Sequence, residues 1–206
     1  DPHAAAFCFV RDVDFCSGAF LMVRKDLWQR LGGFDPAYAP AYYEDTDLCL
    51  RIQDAGFRVV YDPSIWLTHF EWASSTSGVD AVALMEGRQA LFAQRHQARL
   101  AQRPPPEDAQ PDKDRWLAQP HTRRILLIDN AVPHMAVGGG LPRARLVVHA
   151  LADQHLTLFP LWDFDDDWSV VYASIPETVE VMLGVGASGL ERFLEQRAGV
   201  YDYVMV

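Results

Sequence analysis

Three acidic side chains directly follow a pair of tyrosines in the stretch YYEDTDL, residues 42–48. Glu44, Asp45 and Asp47 stand at the front of the segment DTDLCLRIQDAG, whose apolar spacing predicts a helix that ends at Gly56. A carboxylate at the start of a helix is stabilised by free backbone N–H groups and by the helix dipole. Such capping explains one acid well, but it does not explain three acids beside two aromatic rings. An ionised carboxylate between aromatic walls is suited to act as a general base toward a hydroxyl group.

The same acids contain an Asp-x-Asp pattern, Asp45 to Asp47, which raises the alternative of a metal site. Carboxylate pairs of this kind hold hard divalent cations such as Mg²⁺. A pair that presents a metal to a diphosphate normally ends a strand, whereas this pair leads into an amphipathic helix. We therefore do not expect this pair to bind a metal.

Short apolar runs and helical patterns alternate around the acids. AFLMV predicts a strand, and the following RKDLWQRL predicts a helix that buries Leu27, Trp28 and Leu31 and is stopped by two glycines. After the helix that carries the acids, FRVVY and SIWLTH are predicted as strands, and a last helix is expected from about Ala81 to Arg103. This order of elements indicates an α/β fold.

Composition limits the class of protein. The chain has 206 residues, 50% of them hydrophobic, and a formal net charge of −10, so no nucleic-acid partner is expected. Cys8, Cys16 and Cys49 have neither Cys-x-x-Cys spacing nor zinc-site partners, which is typical of reduced thiols in a cytoplasmic protein. No run approaches the roughly 20 apolar residues of a membrane helix, so any membrane association would be peripheral.

Two features predict the domain organisation. The stretch QRPPPEDAQPDKD combines prolines with acids and lacks apolar periodicity, so residues 102–121 are predicted to be a linker between domains at 1–101 and 122–206. The chain also opens without methionine and stops inside the apolar run YDYVMV. We therefore expect it to be a piece of a longer protein.

The landmarks of the first domain resemble the C-terminal half of family-2 inverting glycosyltransferases of the GT-A fold. The resemblance covers about residues 14–75, in order and at family-like spacing. It is carried by Ser17-Gly18-Ala19, Arg24, Gly32-Gly33-Phe34-Asp35, Glu44-Asp45-x-Asp47-Leu48, Arg51, Gly56, Pro63 and His69.

This resemblance implies specific roles for the acids. Asp45 matches the catalytic base, which deprotonates the acceptor hydroxyl as its oxygen attacks the anomeric carbon of the donor sugar. Glu44 would bind the acceptor beside Tyr43. Asp47 would cap the helix and steady the loop.

The resemblance also assigns residues outside this helix start. Gly33 and Asp35 would have structural roles. His69 would be either a metal ligand or a structural residue. Trp72 stands where many relatives have glycine, and it would offer a stacking surface for the acceptor sugar or pack in the core.

The matched region is only half of that fold. In the family, the other half binds the nucleotide-sugar donor and carries an Asp-x-Asp that holds Mg²⁺ or Mn²⁺, and no candidate for it precedes Asp14. The resemblance implies a parent enzyme that transfers a sugar to a glycan acceptor, as in O-antigen-type polysaccharide synthesis. We expect the present chain alone to be inactive.

The second domain alternates strands and helices around one glycine-rich turn, which predicts a parallel, doubly wound sheet. From RRILLID to YDYVMV it resembles the start of the Rossmann-like N-terminal domain of family-4 glycosyltransferases of the GT-B fold. The resemblance implies that Gly138, Gly139 and Gly140, with Arg143, line a cleft. The alternative is that these glycines only permit a tight turn.

Other interpretations remain open at this point. The chain could be a non-catalytic glycan-binding or scaffolding module derived from a transferase. A metal-dependent hydrolase would use Asp45, Asp47 and His69. The acidic stretch WDFDDDW, residues 162–168, lacks a calcium-loop pattern and favours a solvated surface loop over a cation site.

Overall fold

The computed structural model describes residues 4–65, 67–69, 78–103, 123–133, 140–162 and 167–206. The chain divides into two compact units, Asp12–Asp108 and Asp1–Arg11 together with Ala109–Val206. The first eleven residues therefore group with the C-terminal unit and not with the segment that follows them. No helix in the described ranges is long and apolar enough to cross a membrane.

The first unit is mainly helical around a small apolar core. Its helices are α1 (Lys25–Leu31), α2 (Glu44–Asp54), α3 (Gly78–Arg95) and α4 (Gln97–Leu100), with short 3₁₀ turns at Gly18–Phe20 and Pro36–Tyr38. Strand β1 (Arg11–Asp12), of which Asp12 belongs to this unit, pairs with β2 (Val60–Tyr61). Leu27 of α1 packs in this core against Leu48 and Ile52, which lie four residues apart on one face of α2.

The two glycines after α1 allow a close approach that a side chain would block. Gly32 and Gly33 have φ values of 78° and 68°, the left-handed region that favours glycine. A Cβ on Gly33 would lie 2.6 Å from the Trp28 ring. Trp28, which the helical spacing predicts to be buried, is instead 37% exposed; its ring lies over Gly33 and meets Phe34 edge-on.

Three local predictions are wrong. AFLMV forms the 3₁₀ turn Gly18–Phe20 followed by residues outside any strand, and the described residues of SIWLTH form no strand. A strand needs a neighbour that pairs its backbone groups, and the described part of this unit contains only the β1–β2 pair. The predicted long helix is interrupted at His96, whose φ of −104° and ψ of 20° are not helical.

The second unit contains the predicted parallel sheet. Its strands are β3 (Arg124–Asp129), β4 (His155–Pro160), β5 (Glu180–Val181) and β6 (Tyr203–Met205), in the order β5-β4-β3-β6. All three neighbouring pairs are parallel. The helices of this unit are α5 (Leu141–Leu151), α6 (Trp168–Tyr172) and α7 (Gly186–Gln196).

Both faces of β3 are buried, as expected for a parallel sheet. Ile125 and Leu127 pack with Val148 of α5 on one face, while Leu126 and Ile128 pack with Phe193 of α7 on the other. Alternate residues of a strand point to opposite faces, so one short apolar run supplies both cores.

A buried ion pair joins this sheet to the end of α7. Glu180 is fully buried, and both of its oxygens accept hydrogen bonds from Arg197, at 2.5 and 2.9 Å. Thr157 on the neighbouring strand donates a further bond to Glu180. Arg197 also donates to the hydroxyl of Tyr201. Burial raises the pKa of Tyr201 to about 12. Glu180, the charged residue of the otherwise apolar stretch 179–183, is therefore paired through both of its oxygens.

Candidate functional site

The acids of the first unit are presented by an unusual turn. Tyr42 and Tyr43 have φ values of 76° and 68°, in the left-handed region that non-glycine residues rarely adopt. Such strain persists only where surrounding contacts hold it, and it is concentrated at functional sites. The turn lies directly before α2, so Glu44 and Asp45 fall in the first helical turn.

Asp45 is oriented by a short network of hydrogen bonds. Its Oδ2 accepts a bond from the backbone N–H of Gly18 at 2.7 Å. Its Oδ1 accepts from the backbone N–H of Thr46 at 2.6 Å and from the Thr46 hydroxyl at 3.2 Å. A carboxylate offers about four acceptor positions, so one position on Oδ2 remains for a ligand hydroxyl.

Gly18 permits this arrangement because it has no side chain. A Cβ at this position would lie 3.3 Å from the Cβ of Asp45 and 3.4 Å from its Oδ2. This spacing is tighter than an ordinary van der Waals contact, so the carboxylate would have to shift. The Ser-Gly-Ala landmark and the Glu-Asp landmark, 27 residues apart in sequence, are therefore directly joined.

Glu44 has an unsatisfied oxygen beside the oriented carboxylate of Asp45. The side chain is partly buried, and its Oε2 is buried without a hydrogen-bond partner. Burial raises the pKa of Glu44, and the negative charge of Asp45 adds to this effect. A buried acceptor without a donor is costly unless a ligand or water satisfies it, so Glu44 is suited to bind a donor group such as a sugar hydroxyl.

Replacing Glu44 with glutamine is expected to stabilise the unit at neutral pH. Because the pKa of Glu44 is raised in the folded state, its ionised form costs stability as pH rises through that pKa. Glutamine has no charge to bury, so thermal unfolding at pH 7 should occur at a higher temperature. This advantage should vanish below the ordinary glutamate pKa of about 4.3. Equal melting temperatures of both proteins at pH 7 would contradict the assignment.

Asp47 does not cap α2, which corrects the role expected from the resemblance. Asp47 is only 3% exposed, and no side chain caps the start of α2. Its Oδ2 accepts a bond from Arg51 at 2.7 Å, and its Oδ1 lies 2.9 Å from Nε2 of His96. The hydroxyl of Tyr38 also donates to Oδ1, at 3.4 Å. Asp47 is thus the centre of a buried polar cluster.

Arg51 extends this cluster to the Gly-Gly turn. Its two terminal nitrogens donate to the backbone carbonyls of Leu31 at 2.9 Å and Gly33 at 2.8 Å. The landmark residues Gly33, Asp47 and Arg51 are therefore brought together. Together they fix α2 against the end of α1.

Asp35 caps the 3₁₀ turn that follows. Its carboxylate accepts a bond from the N–H of Ala37 at 2.8 Å and forms an ion pair with Arg95 at 2.6 Å. Both interactions favour the ionised form and hold the pKa of Asp35 below its ordinary value. The turn from Asp35 to Tyr38 leads the chain toward the two tyrosines.

Sequence reasoning missed four residues of α3 and its end that contact this loop. Arg88 donates to the carbonyl of Ala39, Phe92 packs on Tyr43, Arg95 pairs with Asp35, and His96 contacts Asp47. Their spacing contained a usable signal, because residues 88, 92 and 96 recur every four positions and share one helical face.

The other predicted site residues lie apart from the acids or outside the described residues. His69 is exposed in a segment without regular structure. Gly140 directly precedes α5, and Arg143 is exposed in the first turn of that helix. Trp72, Gly138 and Gly139 lie outside the described residues, as do the residues numbered 163–166 in the acidic stretch.

The described residues do not fit a divalent metal. Within the described ranges, no group of three or more histidine, cysteine, aspartate or glutamate side chains could hold a metal ion. Asp47 is occupied by Arg51 and His96, and the role of His69 as a metal ligand stays a prediction. No chemical step is assigned to the Mg²⁺ or Mn²⁺ that the resemblance implies.

The arrangement is suited to accept a proton from a bound hydroxyl. Asp45 offers a fixed carboxylate oxygen with a remaining acceptor position, and Glu44 offers a second, unsatisfied oxygen one residue away. Both belong to the first turn of α2, where the helix dipole stabilises negative charge. General base chemistry needs such a carboxylate within hydrogen-bond reach of the acceptor.

Comparisons with known proteins relate part of the chain to glycosyltransferases. Residues 9–91 match the family model described as glycosyltransferase like family 2. The chain is 45% identical to the rhamnosyltransferase WbbL of Escherichia coli (strain K12) over 58 residues, which are 28% of this chain and 22% of that protein. Residues 9–91 are thus similar to a glycosyltransferase-like domain.

Two further relatives match over similar stretches. N-acetylglucosaminyl-diphospho-decaprenol L-rhamnosyltransferase of Mycobacterium tuberculosis (strain CDC 1551 / Oshkosh) is 42% identical over 59 residues, 29% of this chain and 19% of that protein. Uncharacterized protein y4gI of Sinorhizobium fredii (strain NBRC 101917 / NGR234) is 29% identical over 75 residues, 35% of this chain and 8% of that protein. The matched stretch thus spans about a fifth of the two rhamnosyltransferases. No solved structure matches the chain significantly.

Proposed function

We propose that this chain is the acceptor-side part of an inverting glycosyltransferase, with Asp45 as the catalytic base. The observation that carries the proposal is the Asp45 carboxylate, which Gly18 and Thr46 orient while one position on Oδ2 remains for a hydroxyl. The match of residues 9–91 to the glycosyltransferase family model supports the same reaction class.

In the proposed reaction, the acceptor hydroxyl gives its proton to Oδ2 of Asp45. The acceptor oxygen then attacks the anomeric carbon of the donor sugar from the face opposite the nucleoside diphosphate. The new carbon–oxygen bond forms as the bond to the diphosphate breaks, and the diphosphate leaves with the bonding electron pair. This single displacement inverts the anomeric configuration. Glu44 binds a neighbouring acceptor hydroxyl through its unsatisfied Oε2.

The names of two relatives suggest the substrates. Both are rhamnosyltransferases, and the mycobacterial protein is named for an N-acetylglucosaminyl-diphospho-decaprenol acceptor. We therefore assign to this chain a nucleotide-activated L-rhamnose donor and a lipid-linked glycan acceptor. Such an acceptor would bring the protein to a membrane surface, where it would associate peripherally.

The proposal leaves donor binding to residues beyond those of the matched stretch. The second unit is assigned to a GT-B-type transferase domain, on the support of its parallel sheet and the helix α5 that follows the loop after β3. In such sheets, ligands bind beyond the carboxyl ends of the strands. The parent would then be a tandem polysaccharide glycosyltransferase.

The proposal predicts different behaviour for the 206-residue chain and for a longer protein that contains it. The chain alone should release no nucleoside diphosphate from a nucleotide-activated rhamnose. The longer protein should transfer rhamnose to a lipid-linked N-acetylglucosamine acceptor, and the anomeric configuration of the product, measured by NMR, should be opposite to that of the donor. Retention of configuration would refute the mechanism. Acceptor binding by the longer protein without any transfer would instead indicate a glycan-binding module.

A further inference from the structure

One face of α3 and the residue that ends it hold the loop that carries the acids. We call Arg88, Phe92, Arg95 and His96 the clasp. Phe92, Arg95 and His96 lie beyond residue 91, where the match to the family model ends. The clasp contacts four points of the loop between Asp35 and Asp47.

His96 is the clasp residue that reaches the buried polar cluster. Its side chain is 12% exposed, and its Nε2 lies 2.9 Å from Oδ1 of Asp47, which is 4% exposed. Its ring also packs on Phe92, with 4.7 Å between the ring centroids. His96 itself has left the helical conformation, and the helix resumes at Gln97.

His96 is connected to the strained turn in two ways, through Phe92 to Tyr43 and through Asp47 to the first turn of α2. The Phe92 ring lies 5.3 Å from the ring of Tyr43, the residue with φ of 68° directly before Glu44. On the other side, the backbone N–H of Asp47 donates to the carbonyl of Tyr43 at 2.9 Å. Only Glu44, Asp45 and Thr46 lie between the two held residues, Tyr43 and Asp47.

We propose that His96 is a positioning residue for the proposed transfer reaction: through Asp47 and Phe92, it holds the left-handed turn that aims Glu44 and Asp45 at the acceptor. This inference rests on the proposed function. A left-handed tyrosine relaxes when its supports are removed, because the strained conformation costs free energy that only surrounding contacts offset.

Arg99 provides the matched control on the next turn. It pairs with Asp54 at the opposite end of α2, at 3.3 Å, and also contacts Gln53. Its loss removes a contact between α4 and α2 without touching the turn at residues 42–45. A purely structural role of His96 would instead accelerate exchange throughout the first unit.

The first measurement is amide hydrogen exchange of the 206-residue chain, followed by mass spectrometry. His96→Ala should accelerate exchange about tenfold in peptides that cover residues 39–48, and leave α1 unchanged. His96→Gln, whose amide nitrogen can replace Nε2 as a donor to Asp47, should restore slow exchange. Arg99→Ala should leave residues 39–48 unchanged. If His96→Ala does not fold, Phe92→Leu tests the same contact, because it keeps the core filled but removes the ring between His96 and Tyr43.

The second measurement is rhamnose transfer by the longer protein, well below its unfolding temperature. His96→Ala should lower kcat about tenfold with little change in the acceptor KM, and Arg99→Ala should not. Uniform acceleration of exchange across the first unit, or equal effects of His96→Ala and Arg99→Ala, would overturn the inference. A wild-type protein that transfers no sugar but shows the expected exchange pattern would refute the proposed function while supporting the role of His96 in holding the turn.

Discussion

Asp47→Ala is expected to lower the free energy of unfolding of the first unit by about 3–5 kcal/mol, the cost of breaking a buried ion pair from one side. The substitution leaves Arg51 without its carboxylate partner, although the guanidinium is three-quarters buried. It also removes the acceptor of His96 and of the Tyr38 hydroxyl. Burial raises the pKa of Tyr38, and the Asp47 charge adds to that effect, so the tyrosine remains a neutral donor and loses its acceptor in the variant.

This prediction separates a buried cluster centre from a helix cap. Loss of a capping carboxylate costs about 1 kcal/mol. Urea unfolding, with hydrogen exchange of the α2 amides as the probe, measures the loss of unfolding free energy and distinguishes the two roles. Asp26→Ala is the control, because the Asp26–Arg24 pair is exposed, at 68% and 65%, and exposed ion pairs contribute little to stability. A loss for Asp47→Ala no larger than that of the control would contradict the cluster.

The local features of the first unit could be predicted from the sequence. The helix α2 follows from the spacing of Leu48 and Ile52, and Gly56 ends it with a φ of 84°. The two glycines after α1 are left-handed, as their position at a helix end predicts. These outcomes depend on residues within one or two turns of each other, and sequence patterns report such distances well.

The role of Asp47 could not be predicted, because its partners are distant in sequence. His96 is 49 residues away, and the sequence placed it inside a continuous helix. An acid in the first turn of an isolated helix favours capping, which is also the role that the resemblance implied for Asp47. Asp47 is instead buried between α2 and the end of α3, and a buried charge must be paired, so its carboxylate binds Arg51 and His96.

The position of Asp45 shows the same limit in a milder form. A carboxylate at the front of an amphipathic helix indicates a candidate base, but its orientation depends on the backbone of Gly18, 27 residues earlier. The resemblance located both residues as landmarks without saying that they touch. The structure adds the contact, and with it a reason why glycine is needed in the Ser-Gly-Ala landmark.

Asp45→Asn is expected to lower kcat for sugar transfer by the longer protein about 10²–10⁴-fold, the usual contribution of a general base. The amide is nearly isosteric but cannot take a proton from the acceptor hydroxyl. The acceptor KM should change little, because Glu44 and the surrounding turn still bind the sugar. The measurement is the initial rate of nucleoside diphosphate release at saturating acceptor.

The matched control for Asp45→Asn is Asp54→Asn, at the opposite end of the same helix. Asp54 is a 65% exposed acid whose ion pair is with Arg99, so its amide variant should transfer at the wild-type rate. Asparagine at position 45 also places an N–H group against one of its former donors, Gly18 or Thr46, so hydrogen exchange must first establish that α2 remains folded. With α2 intact, a rate within a factor of about three of wild type would remove Asp45 as the base, since even the weakest general bases contribute about 10²-fold. Glu44 would then be the acid to test, because its raised pKa and unsatisfied oxygen make it the other carboxylate of the turn able to accept a proton.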